Sequence, residues 1–149
     1  MQIFNLYGLI IMVIMLIPNA VYARKQKDGF ENLWVNKVVE TFEQIGRFGC
    51  FGLMVINIPT TCFGFWFENG LIVYLIINGI LLSAYCLIWY VCFYKNSIFR
   101  TLALSILPSM LFLFSGIMIR SVLLIAAAVI FAPCHILISY KNTKKALTK

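Results

Sequence analysis

Residues 24–47 read RKQKDGFENLWVNKVVETFEQIGR, and how this stretch is placed decides the fold. It is the one long polar passage in a chain that is 62% hydrophobic and 11% charged. Four of the five acids sit in it (Asp28, Glu31, Glu40, Glu43), with five of the twelve Lys and Arg (Arg24, Lys25, Lys27, Lys37, Arg47). Soluble domains carry about 25% charged residues. A chain of 149 residues has too small a core to hide this much apolar surface, so the excess faces lipid. One domain is expected, with the lipid bilayer as its medium.

The polar stretch has internal order. Asp28-Gly29 reads as a turn. After it, Leu33, Trp34, Val38, Val39, Phe42 and Ile45 recur near helical spacing, while Asn36, Lys37, Glu40, Glu43 and Arg47 fall largely elsewhere. This predicts an amphipathic helix, with Glu43 and Arg47 paired one turn apart. Trp34 suits a headgroup layer, so the helix is expected to lie along the membrane interface and then turn into the next apolar run.

On either side the apolar runs are long. Residues 3–23 are long enough for a core of about 30 Å. Val21-Tyr22-Ala23 looks like a signal-cleavage site, but no base precedes the run, so a retained span is expected. The second span is expected at 48–67. Gly46, Gly49 and Gly52 at its start are spaced for close helix approach, and Asn57-Ile-Pro59-Thr60-Thr61 breaks it near mid-membrane. The third span is expected at 71–93, with Asn78 in its first half. Residues 101–140 carry one charge, Arg120, and as a single helix would measure about 60 Å, twice the hydrocarbon thickness. They must fold back near 116–121, which gives spans at 101–118 and 121–140. The fold class expected is therefore all-α: an integral bundle of five transmembrane helices with one amphipathic interfacial helix.

Charge orients the bundle. Eleven of the twelve bases fall on residues 24–47, on the connection holding Lys95 and Arg100, and on the tail of Lys141, Lys144, Lys145 and Lys149; only Arg120 falls on the other side. The positive-inside rule then places the N-terminus outside and the C-terminus in the cytoplasm of a cell membrane. Bases placed this way are not the basic face of a nucleic-acid binder, and no nucleic-acid partner is expected. Residues 24–47 have a net charge of only +1, so attraction to anionic lipid is expected mainly from the lysine tail, with Trp34 and Phe42 setting depth.

Few residues carry chemistry. The five cysteines lie in apolar runs without CxxC spacing and read as packing residues. No cluster of Cys and His stands at ligand spacing, so no metal or other cofactor is expected. His135, the only histidine, follows Pro133-Cys134 near the cytoplasmic end. An ionisable group at such depth is a candidate for ligand contact or proton transfer; the plainer account is a neutral imidazole bonded to a carbonyl freed by Pro133. Glu40 and Glu43 are candidates for acid–base work or for holding a cation, against the plainer account of a solvated face with an ion pair to Arg47. Asn57, Pro59, Thr60 and Asn78 are candidates for a polar ligand site beside the broken span.

The run ETFEQIGR from Glu40 to Arg47, with Asn57-Ile-Pro59, Leu87-Ile-Trp-Tyr90 and Leu104-Ser-Ile-Leu-Pro108, resembles a group of small multi-pass membrane proteins of low-GC Gram-positive bacteria. That resemblance covers most of the chain and implies no activity and no catalytic residue. Length and span number are also similar to the tryptophan-rich sensory proteins. Their Trp- and Pro-rich first loop has no counterpart, since residues 24–47 hold one Trp and no Pro. Three functions follow as expectations. The first is a non-enzymatic envelope protein that binds a membrane-protein partner, a second copy of itself or a small ligand. The second is a small transporter or transporter subunit working at the broken span. The third is a membrane enzyme acting on lipid, with His135 as base and Glu40 or Glu43 as its partner.

Overall fold

A computed structural model describes residues 3–26 and 32–148; Lys27, the Asp28-Gly29 turn, Glu31 and Lys149 lie outside them. Five helices follow in order: α1 (Leu6–Lys25), α2 (Lys37–Val55), α3 (Gly70–Val91), α4 (Ile98–Met118) and α5 (Val122–Leu147). Polar side chains start four of them, because the first N–H groups of a helix lack partners in the helix itself. Asn5 accepts from Gly8 N at 3.0 Å, Asn36 from Val39 N at 3.3 Å, Ser97 from Arg100 N at 3.2 Å and Ser121 from Leu124 N at 3.4 Å. Pro18, Pro108 and Pro133 sit inside α1, α4 and α5 without ending them.

The helices alternate in direction and close a ring in the order α1, α2, α5, α4, α3 and back to α1. One end of the ring gathers Lys25, Lys37, Lys95, Arg100, Lys141, Lys144 and Lys145, and is the basic end. At the opposite end α4 turns into α5 at 119–121. Four helices, α1, α3, α4 and α5, are long and apolar enough to cross a membrane.

α2 differs from the sequence expectation in extent. It is one continuous helix that joins the amphipathic stretch to the start of the second apolar run, and it stops at Val55. Pro59 does not kink a helix. Proline has no N–H for a helical bond and disfavours helical backbone in the residue before it, so residues 56–69 leave the helix altogether. They lie across the opposite end of the bundle, where hydrogen bonds from their backbone and side chains tie them to other elements. Asn57 N donates to Ile3 O at 2.7 Å, Val122 N to Thr61 O at 2.9 Å, and the Trp66 indole to Ile117 O at 2.7 Å. Arg120 fastens the same loop, giving hydrogen bonds to Phe63 O (2.6 Å) and Gly64 O (3.1 Å).

The facing of α2 is what builds the site. Glu43, Gly46, Cys50 and Met54 point into the bundle. Val38, Phe42, Ile45 and Phe48 point out and are 50–67% exposed, while Glu43 is 2% exposed. In water this helix would be inside out. Gly46 lets it close on α5: a Cβ there would meet Phe131 N at 2.7 Å and Cα at 2.8 Å. Gly49 faces Ala127, but Gly52 looks into open space, so two of the three spaced glycines serve the contact.

Candidate functional site

All five helices line one cavity of about 1230 Å³ in the basic half of the ring. Its deeper wall is apolar, with Met15, Phe51, Leu104, Pro108, Phe112 and Phe131. Its wall nearer the basic end is polar, with Glu43, Arg47, His135, Arg100, Thr101 and Asn142 among its residues.

Glu43 lies at the junction of the two walls. Burying a carboxylate is costly unless cations and donors surround it, and α2 and α5 each supply one. Arg47, one turn on, donates through Nε at 3.0 Å and through Nη2 to the same Oε1. His135 Nδ1 stands 2.9 Å from that oxygen, across the α2–α5 contact that Gly46 brings close. With Glu43 ionised, Nδ1 is the nitrogen that carries the proton, because a carboxylate only accepts. The Phe131 ring stacks on the imidazole at 4.6 Å and fixes its plane. His135 Nε2 is then left without a hydrogen bond among the described residues. The imidazole is thus held by Glu43 and not by a carbonyl that Pro133 frees.

Glu40 has a different place. Its Oε1 accepts from Asn32 Nδ2 at 2.8 Å and from Asn36 N at 3.0 Å, which ties down the start of α2. Neighbouring backbone is strapped to α5: Asn142 accepts from Trp34 N at 2.7 Å, and Lys145 donates to Leu33 O at 3.1 Å. Of the two glutamates, it is Glu43 that the fold pairs with His135.

Asn57, Pro59, Thr60 and Asn78 do not line the cavity. Asn78 is fully buried and joins α3 to α4: its amide nitrogen donates to Tyr74 O at 3.0 Å and its oxygen accepts from Ser115 Oγ at 3.1 Å. Asn57, Pro59 and Thr60 belong to the loop across the opposite end.

The sequence reading missed Arg100, which it counted as a loop charge. Arg100 lies in the first turn of α4 and is 7% exposed. Its guanidinium sits over Tyr22 at 4.4 Å and Trp89 at 5.0 Å, and donates to Lys95 O at 3.0 Å. Beside it, Tyr85 donates to Asn19 at 3.0 Å across α1 and α3. The available signal was Ser97, a helix-starting residue three positions earlier, which puts Arg100 on a helix and not between two.

Compared with known proteins, the chain matches no family model, no curated protein and no solved structure.

Proposed function

We propose that this chain is a five-crossing membrane protein, N-terminus outside and C-terminus in the cytoplasm, that binds a small polar-headed ligand in the cavity at its basic end without transforming it. One observation carries this reading: α2 turns Glu43 inward onto His135 and Arg47 while Val38, Phe42, Ile45 and Phe48 face outward. Only lipid makes that arrangement favourable over the length of a helix. At 19 residues α2 measures about 28 Å, close to a hydrocarbon core. The polar groups it turns inward then line a cavity that lipid tails cannot satisfy and a polar ligand can.

The reading is tested by native mass spectrometry of the full chain extracted from membranes. A bound small molecule is expected on the unsubstituted protein and on Asn78→Ala, and is expected to be lost in Glu43→Gln and His135→Ala. A chain that is empty in every preparation, or equally loaded in all four, contradicts it.

Lipid chemistry is the second reading, and a specific geometry favours it. A carboxylate on Nδ1 with Nε2 left open is the arrangement of a histidine general base. It predicts turnover of a bilayer lipid that disappears in His135→Ala and falls in Glu43→Gln. Unchanged lipid after prolonged incubation with the reconstituted protein removes it. Transport rested on the broken span, whose residues lie away from the cavity, and no observation here favours it.

A further inference from the structure

Among the described residues, Arg100 is a buried cation without an anion. Among the described residues its partners are one carbonyl and two aromatic faces, and no carboxylate pairs with it. Both glutamates of the cavity are engaged elsewhere, Glu43 with Arg47 and His135, Glu40 with Asn32 and Asn36. The helix it belongs to makes matters worse, since the first turn of α4 carries the positive end of the helix dipole. Ring faces and a carbonyl offset part of the cost of burying a guanidinium, but they leave its net charge in place. Trp89 Nε1, whose ring lies under the guanidinium, is also buried, beside the Tyr85 hydroxyl but without a well-formed hydrogen bond among the described residues. Both groups line the cavity; the guanidinium asks for a negative charge, and the indole N–H beside it for a well-placed acceptor.

We propose that Arg100 and Trp89 form an anion subsite that takes the phosphate of a single-chain or small phosphate-bearing amphiphile, whose hydrocarbon lies against the deeper apolar wall of the same cavity. The inference rests on the ligand-binding reading above and names the chemistry of its ligand. A guanidinium matches an oxyanion through paired N–H groups. The deeper wall, with Met15, Phe51, Leu104 and Phe112, matches a chain and offers nothing to a free ion. A cavity of about 1230 Å³ exceeds what a bare phosphate fills.

The test uses the full chain in nonionic detergent with Trp34→Phe and Trp66→Phe, which leaves Trp89 as the only indole. Lysophosphatidic acid, a monoacylglycerol of the same chain and inorganic phosphate are titrated separately, following Trp89 emission. A saturable change is expected with lysophosphatidic acid and not with the monoacylglycerol. Arg100→Gln is expected to weaken it roughly tenfold or more, as loss of charge-assisted hydrogen bonds does, and Arg100→Lys to weaken it less. Should Arg100→Gln fail to fold, the contrast between the two amphiphiles and the effect of Arg100→Lys decide. Inorganic phosphate binding as tightly as lysophosphatidic acid makes the free ion the ligand and overturns the amphiphile. The subsite is overturned if the two amphiphiles bind alike, or if Arg100→Gln binds lysophosphatidic acid unchanged. Such binding still lost in Glu43→Gln leaves the cavity reading standing, whereas no binding of any probe, with no mass retained from membranes, removes both.

Discussion

Glu43 is stabilised from two sides, and the two sides differ in worth. Its partner Arg47 is 36% exposed, so water screens that contact, while the His135 contact is on the buried side of α2. Removing the carboxylate leaves a histidine and an arginine facing an apolar wall. Glu43→Ala is therefore expected to cost roughly 3 kcal/mol in reversible unfolding from detergent. Arg47→Gln, at the exposed side of the same cluster, is expected to cost under about 1 kcal/mol. Equal losses in the two variants would show that the cluster is solvated and not buried. At this scale the sequence made the meeting of Glu43 and His135 thinkable, since both fall at one depth once the spans are drawn. It could not choose between Glu40 and Glu43. Three residues turn a helix by nearly a full circle, and the choice rests on where Gly46 lets α5 approach. Arg100 was illegible for another reason. A base at a span end satisfies the positive-inside rule whether or not it is buried.

At the scale of elements, α2 carries the lesson. The periodicity of residues 33–47 groups side chains by face, and part of that grouping is seen: Val38, Phe42 and Ile45 are together outside with Glu43 opposite, while Val39 is half-buried, Lys37 is exposed and Leu33 and Trp34 precede the helix. Periodicity does not say which medium either face meets. A helix lying on a membrane and a helix crossing it with a polar seam inward have the same pattern. The fold-back at 119–121 was legible because length alone forces it, whereas the end of α2 was not, because a proline in an apolar run fits a kink as well as a stop. The α2–α5 contact gives a direct test. Gly46→Ala places a methyl against the Phe131 backbone and is expected to cost about 2 kcal/mol, as overpacking does. Gly52→Ala meets nothing within 4 Å and is expected to be neutral or stabilising by up to about 1 kcal/mol. Thermal unfolding of the two variants side by side checks the order; a costly Gly52→Ala with a tolerated Gly46→Ala would reverse the facing of α2.

For the whole molecule, the proposed topology sets the basic end at the cytoplasmic leaflet. Lys141, Lys144 and Lys145 are exposed there, and each base near an anionic surface contributes about 1 kcal/mol. Trp34, half-buried and strapped to Asn142, is the natural reporter of that end. With Trp66 and Trp89 replaced by Phe, its emission is expected to shift as anionic lipid is added to vesicles, and to stop shifting when the three lysines become Gln. Emission indifferent to lipid charge would leave these lysines with a role in insertion only. All of this depends on α2 crossing the bilayer, and depth along that helix is measurable. In a chain whose five cysteines are replaced, nitroxide labels are placed singly at Val38→Cys, Phe42→Cys, Ile45→Cys and Phe48→Cys, and collision with oxygen is compared with collision with a water-soluble nickel complex. The account predicts labels facing lipid whose depth increases by about 15 Å from position 38 to position 48, ten residues at the helical rise. Equal shallow depth at all four positions would mean that α2 lies along the surface, and would contradict the account.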